Sequence, residues 1–93
     1  MIKSFSDKET GKIFNREFSR KIPPAVQQIA RRKLEMIDAA DALSDLRVPP
    51  SNHLEKLSGN KKGQYSIRIN AQWRICFEWH SGDAYSLEIA DYH

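Results

Sequence analysis

The hydrophobic pattern of this chain changes period once, near residue 53, and that change limits what it can fold into. Beyond it, Tyr65, Ile67 and Ile69 alternate with Ser66, Arg68 and Asn70. Trp73, Ile75, Phe77 and Trp79 then alternate with Arg74, Cys76 and Glu78, and Tyr85, Leu87 and Ile89 with Ser86, Glu88 and Ala90. A period of two is that of half-buried β-strands. Asn70-Ala71-Gln72 and His80-Ser81-Gly82-Asp83 read as tight hairpin connections, and Leu54 to Leu57 offers a further strand before the turn Ser58–Gly63. One face of the resulting sheet is large and apolar. The other carries Arg68, Arg74, Cys76, Glu78 and Glu88, and the parity of Tyr92 places it on the same side as Arg74.

Before residue 53 the period is helical. Val26, Ala30, Leu34 and Ile37 recur at i, i+4, i+8 and i+11, which makes one apolar face. Pro24 suits the first turn of that helix, and Pro49-Pro50 stops any helix that follows. The apolar sheet face, with Trp73, Phe77 and Ile67, is expected to pack on this helix. Residues 2–5 alternate enough for a short first strand. Asp7 to Lys21 is dense in charge, and its thin stripe of Ile13, Phe14 and Phe18 leaves two expectations open: the most mobile segment of the free protein, ordered only against its own core or a partner, or a permanent surface helix.

The length of 93 residues suits a single domain spanning 1–93. No apolar run approaches a membrane span, and the start lacks the apolar stretch of a signal peptide. One cysteine, Cys76, excludes an internal disulfide and suits a reducing compartment. A cytoplasmic protein is expected, with no membrane contact. Cations dominate the first third of the chain, and no acid lies between Lys56 and Phe77. That stretch holds Lys56, Lys61, Lys62, Arg68 and Arg74, which suits a phosphate-binding surface if these cations converge. Scattered solvated lysines are the plainer alternative.

The chain ends Asp91-Tyr92-His93, directly after the last strand. A carboxylate, a phenol and an imidazole held there would be able to move protons. His53, His80, His93 and Cys76 lack metal-ligand spacing, so neither a metal nor another cofactor is expected. Cys76 lies mid-strand between Ile75 and Phe77 and reads as a buried small hydrophobe. RNA cleavage by internal transfer needs only proton transfer and charge stabilisation. Arg74, Lys56 or Lys61, Asp91, Tyr92 and His93 supply those parts, and Tyr92 can alternatively stack on a base.

Several segments together resemble the HigB toxins of the RelE superfamily: Leu54-Glu55-Lys56-Leu57, Gly63 to Asn70, Gln72-Trp73-Arg74-Ile75-Cys76-Phe77, and Ile89-Ala90-Asp91-Tyr92-His93. Arg32-Lys33-Leu34 and Asp45 to Pro50 fit as well. The resemblance implies an α+β fold, a small and mainly antiparallel sheet with N-terminal helices packed on one face. It implies a ribosome-dependent endoribonuclease that cleaves mRNA in the decoding site, held inactive by a HigA-type helix-turn-helix antitoxin and reaching operator DNA only through that antitoxin. It places Arg74 on the phosphate and Asp91, Tyr92 and His93 in the catalytic group, with His53 the nearest counterpart of a further histidine. Some relatives carry Leu-Lys-Gly where this chain has Leu57-Ser58-Gly59. Either Lys56, Lys61 or Lys62 substitutes for that cation, or the enzyme is less active.

Two other functions suit the fold. One is a protein-binding growth inhibitor similar to the ParE toxins that poison gyrase, and the other a non-catalytic RNA-binding module. Neither gives Arg74 and the terminal Asp-Tyr-His an evident task. A surface ion pair to Glu78 or Glu88 is the structural alternative for Arg74, and simple exposure beside a turn is the expectation for His80.

Overall fold

A computed structural model describes residues 1–61 and 63–92, without the side chain of Lys61. The candidate residues Lys62 and His93 lie outside the described residues. Helix α1 (Lys8–Phe14) opens at an Asp7 N-cap whose carboxylate accepts from the Thr10 backbone N–H at 3.4 Å and from Thr10 Oγ1 at 2.6 Å. Seven residues are too few to hold a helix in water unaided. Docking supplies the rest. Ile13 is buried in the core, and the Ile89 N–H donates to Thr10 Oγ1 at 3.0 Å. Of the segment Asp7 to Lys21, only Lys8–Phe14 forms a helix, packed on the protein's own core, and Phe18 of the segment's apolar stripe lies outside that helix and stays exposed.

Helix α2 (Pro24–Ala39) begins with proline in its first turn, as its sequence predicts, and buries Val26, Ala30, Leu34 and Ile37. The Gln27 carboxamide ties the preceding loop to it, donating to the carbonyls of Ser19 (2.7 Å) and Ile22 (2.6 Å) and accepting from the Ser19 N–H (3.0 Å). After α2 come 3-10 turns at Leu43–Arg47 and Pro50–Asn52.

Strands β1 (Glu55–Lys56), β2 (Gln64–Arg68), β3 (Trp73–His80) and β4 (Asp83–Asp91) form one antiparallel sheet in chain order. Ser81 and Gly82 both have positive φ, the backbone of a two-residue hairpin whose twist matches its strands. The helices lie over the face of Ile67, Ile75, Phe77, Leu87 and Ile89. Residues 2–5 add only two isolated parallel bridges to the edge of β4, Ile2 to Ala84 and Phe5 to Leu87, rather than a full strand.

One expectation from the alternation fails. Tyr85 does not share a face with Leu87 and Ile89. A β-bulge lies where Cys76 pairs with Glu88 but Glu78 pairs with Tyr85, and Ser86 takes φ 56° there. The extra residue reverses the parity of the strand. Fully buried Ala84 takes the core position, while Tyr85 lies opposite Glu78 and its ring meets that of exposed His80 at 5.6 Å. Past the bulge the predicted parity holds, so Glu88, Ala90 and Tyr92 fall on the side of Arg74.

Candidate active site

The register assembles this face in rows. Glu55, Ser66, Cys76 and Glu88 lie across from one another on β1 to β4, and the next row holds Arg68, Arg74 and Ala90. Arg74 sits at the centre with its side chain only 11% exposed. Its Nε donates to Ser66 Oγ at 2.8 Å, and one terminal nitrogen donates to the carbonyls of His53 (2.6 Å) and Ser66 (3.3 Å). These partners fix the guanidinium but do not neutralise it. Among the described residues its one ion pair is with Glu55, at 4.0 Å and more than half exposed. A buried cation needs a close counter-charge, and a remote, hydrated carboxylate provides little of one. Arg68 stands directly opposite Arg74 across the ladder. Like charges so placed repel, so the pair favours an anion between or above them.

Tyr92 closes one side of this cradle. Its backbone N–H donates to the Gln72 carbonyl, which holds the end of the chain against the β2–β3 turn. Its phenol oxygen lies 3.4 Å from Cys76 Sγ. That hydrogen bond, with burial and the sulfur's own charge, pushes the phenol up to about 12. Tyr92 therefore keeps its proton at neutral pH and suits hydrogen-bond donation, proton donation or stacking better than proton abstraction. Cys76 is fully buried, as its position predicts, yet it also touches the phenol, which sequence alone did not reveal.

The other candidates are placed less centrally. Asp91 has the opposite parity, pairs with Trp73, and accepts from Gln72 Nε2 at 3.0 and 3.2 Å. His53 is exposed in a left-handed conformation, φ 44° and ψ 57°, and meets Arg74 through its backbone carbonyl. Lys56 is exposed and pairs with Tyr65, a register step that gives it the parity opposite to Arg74. Neither Glu78 nor Glu88 forms a described ion pair with Arg74; Glu78 instead meets His80 Nε2 at 3.1 Å. Glu55 and Ser66 were missed as site residues. Ser66 had a signal, being a small polar residue on the parity of Arg68 inside an apolar strand.

Residues 3–93 match the family described as RelE-like toxin of type II toxin-antitoxin system HigB. The chain is similar to Toxin HigB-1 of Vibrio cholerae, 52% identical over 65 residues that cover 70% of this chain and 68% of that protein. It is similar to Endoribonuclease HigB of Proteus vulgaris, 34% identical over 93 residues and covering all of both chains. Its fold matches a solved chain from the YoeB-YefM complex of Staphylococcus aureus, with a TM-score of 0.58 at 18% identity, over 100% of this chain and 98% of that one.

Proposed function

The chain belongs to the HigB-like family of RelE-like type II toxins, and on that premise we propose that it is a ribosome-dependent endoribonuclease that cuts translated mRNA. Residues 1–93 are read as one toxin domain, acting in the cytoplasm and silenced by a HigA-type helix-turn-helix antitoxin through which operator DNA is reached. The family match and the similarity to Endoribonuclease HigB of Proteus vulgaris support the toxin and nuclease parts, and the structural neighbour's origin in a two-protein complex supports a partner protein.

The reaction is internal transfer. The ribose 2′-oxygen attacks the adjacent phosphorus and loses its proton to a base. The bond from phosphorus to the 5′-oxygen breaks, and an acid protonates that leaving oxygen. A 2′,3′-cyclic phosphate remains on one fragment and a 5′-hydroxyl on the other. No metal or other cofactor has a part in it. In this reading Arg74 holds the phosphate and the charge that develops on it, with Arg68 beside it. Lys56, Lys61 and Lys62 attract the backbone at longer range. Tyr92 donates a hydrogen bond or stacks on a base, and Asp91, His93 and His53 supply proton transfer. The observation that carries the proposal is the guanidinium of Arg74, almost buried, pinned by neutral acceptors and, among the described residues, short of a close counter-charge. A gyrase-binding role gives that arrangement no use, and a purely RNA-binding role gives none to the proton-moving groups of Asp91, Tyr92 and His93. The test is to induce the protein in cells and map new 5′ ends on matched translated and untranslated transcripts. Cuts confined to translated RNA, lost with Arg74→Ala, are expected. Equal cutting of both transcripts rules out ribosome dependence, and no cutting rules out the nuclease.

A further inference from the structure

The turn that carries His53 is built around one side chain, that of Asn52. It is fully buried, although it is polar and lies in a loop. Its Nδ2 donates to the carbonyls of Leu46 (3.1 Å) and Val48 (3.3 Å) and meets Met36 Sδ at 3.2 Å. Its Oδ1 accepts from the ammonium of Lys33, on α2. Both sides of the carboxamide are therefore engaged, which fixes its orientation. The Asn52 N–H donates to the Pro49 carbonyl at 2.9 Å and the His53 N–H to the Pro50 carbonyl at 3.0 Å. The next residue, His53, is left-handed, and its carbonyl receives Arg74 at 2.6 Å.

We propose that Asn52, anchored by Lys33, is a positioning residue for Arg74: it locks the left-handed turn whose His53 carbonyl aims the guanidinium at the phosphate. A left-handed backbone is disfavoured for a residue other than glycine, so surrounding structure must hold it. Asn52 joins that turn to the preceding 3-10 turn, whose Leu46 is buried in the core, and to α2, whose Leu34 is buried there too. Lys33 leaves water to reach it, and burial lowers its pKa from the ordinary lysine value. Ser66 holds Arg74 from within the sheet, accepting from Nε at 2.8 Å and, through its carbonyl, from a terminal nitrogen at 3.3 Å, and the His53 carbonyl, at 2.6 Å, is the nearer partner of that terminal nitrogen. Small displacements of a group that holds reacting atoms are expensive in rate.

The proposal rests on Arg74 as phosphate ligand, and its test includes a readout that does not. Asn52→Asp keeps the shape and the Lys33 contact but removes both donors to the loop carbonyls. Lys33→Met changes only the anchor on α2 and leaves the loop sequence intact, so it serves if Asn52→Asp fails to fold. In nitrogen–proton correlation spectra of RNA-free protein, the Arg74 Nε–Hε signal is identified by its loss in Arg74→Lys. Both variants are expected to move it towards the position of exposed arginines. In ribosome-bound mRNA cleavage, kcat is expected to fall, by up to on the order of 10²-fold, while KM stays close to wild type. An unmoved Arg74 signal in Lys33→Met, or in a folded Asn52→Asp, overturns the proposal and leaves Asn52 a stability residue. A moved signal with undiminished kcat overturns its functional part. If wild type cuts no RNA, the nuclease reading fails while the spectra still decide the geometry.

Discussion

Arg74 makes its contacts with a planar fork, and this determines how it can be replaced. Lysine has no way to donate at once to Ser66 Oγ and to the His53 carbonyl from one rigid plane. Arg74→Ala is expected to lower single-turnover mRNA cleavage on the order of 10²–10³-fold, the size seen when one charge-stabilising donor is removed. Arg74→Lys should recover only a small part of it. Lys56→Ala, on the opposite parity, should cost far less, and equal losses at both positions would contradict this placement. Tyr92 gives a second prediction. Its phenol is raised chiefly by the Cys76 contact, so Cys76→Ala should bring its titration back towards the ordinary tyrosine value near 10. Ultraviolet absorbance, with Tyr92→Phe as the reference, isolates this group from Tyr65 and Tyr85. Because the folded value lies above the unfolded one, the stabilisation is complete below pH of about 10 and is lost as pH climbs towards 12. Arg74 and Tyr92 were readable as a pair in the sequence because both keep one parity on adjacent strands. The roles of Glu55 and Asn52 were not, since each depends on a contact across the fold that no local pattern encodes; Ser66 showed its face by parity but not its bond to Arg74.

Among the elements, α2 and the three longer strands follow directly from apolar period, because each is long enough for its pattern to outweigh chance. Helix α1 does not. Its order comes from the Asp7 cap on Thr10, from Thr10 accepting from Ile89, which lies 79 residues further along, and from Ile13 packing in the core. Amide exchange on the isolated protein should show strong protection at Ile13 and little at Phe18, which is exposed; uniform rapid exchange across residues 8–14 would contradict the docked helix. The same element gives a pH prediction. Ser19, fully buried, donates to Glu9 at 2.6 Å, and this hydrogen bond above all lowers the pKa of Glu9. A lowered carboxylate stabilises the fold above its unfolded pKa, and that contribution disappears as pH falls through the folded value. Ser19→Ala should therefore destabilise the protein more at neutral pH than in acid, and urea melts at two pH values would show the difference.

The whole molecule divides its two faces between two tasks. The helix-covered face holds the fold together: Phe77 is fully buried between the rings of Tyr65 and Trp79, and Phe77→Ala is expected to cost roughly 3–5 kcal/mol. A domain with about 5–15 kcal/mol in total has little margin for that loss, so thermal melts should show a large fall. Activity should decline in step with the folded fraction and not beyond it. The open face behaves in the other direction. Removing Arg74 should leave the melting transition nearly unchanged or raise it, because a cation that is poorly compensated among the described residues favours function over stability. A sequence reader can assign residues to the two faces by parity alone, but parity says nothing of which face is strained, since that depends on distances between charges.

The bulge at Ser86 makes β4 behave like a ruler read from its far end. Counting forward from the hairpin turn gives the wrong side for every residue past the extra one, whereas counting back from Tyr92 through Ala90 and Glu88 stays in step with Arg74 and Cys76. Removing Ser86 would restore an unbroken ladder without moving Leu87, Ile89 or Tyr92 to another face. The turn and the site are thus free to drift in length relative to each other by that one residue, and the chemistry is metered from the carboxyl end.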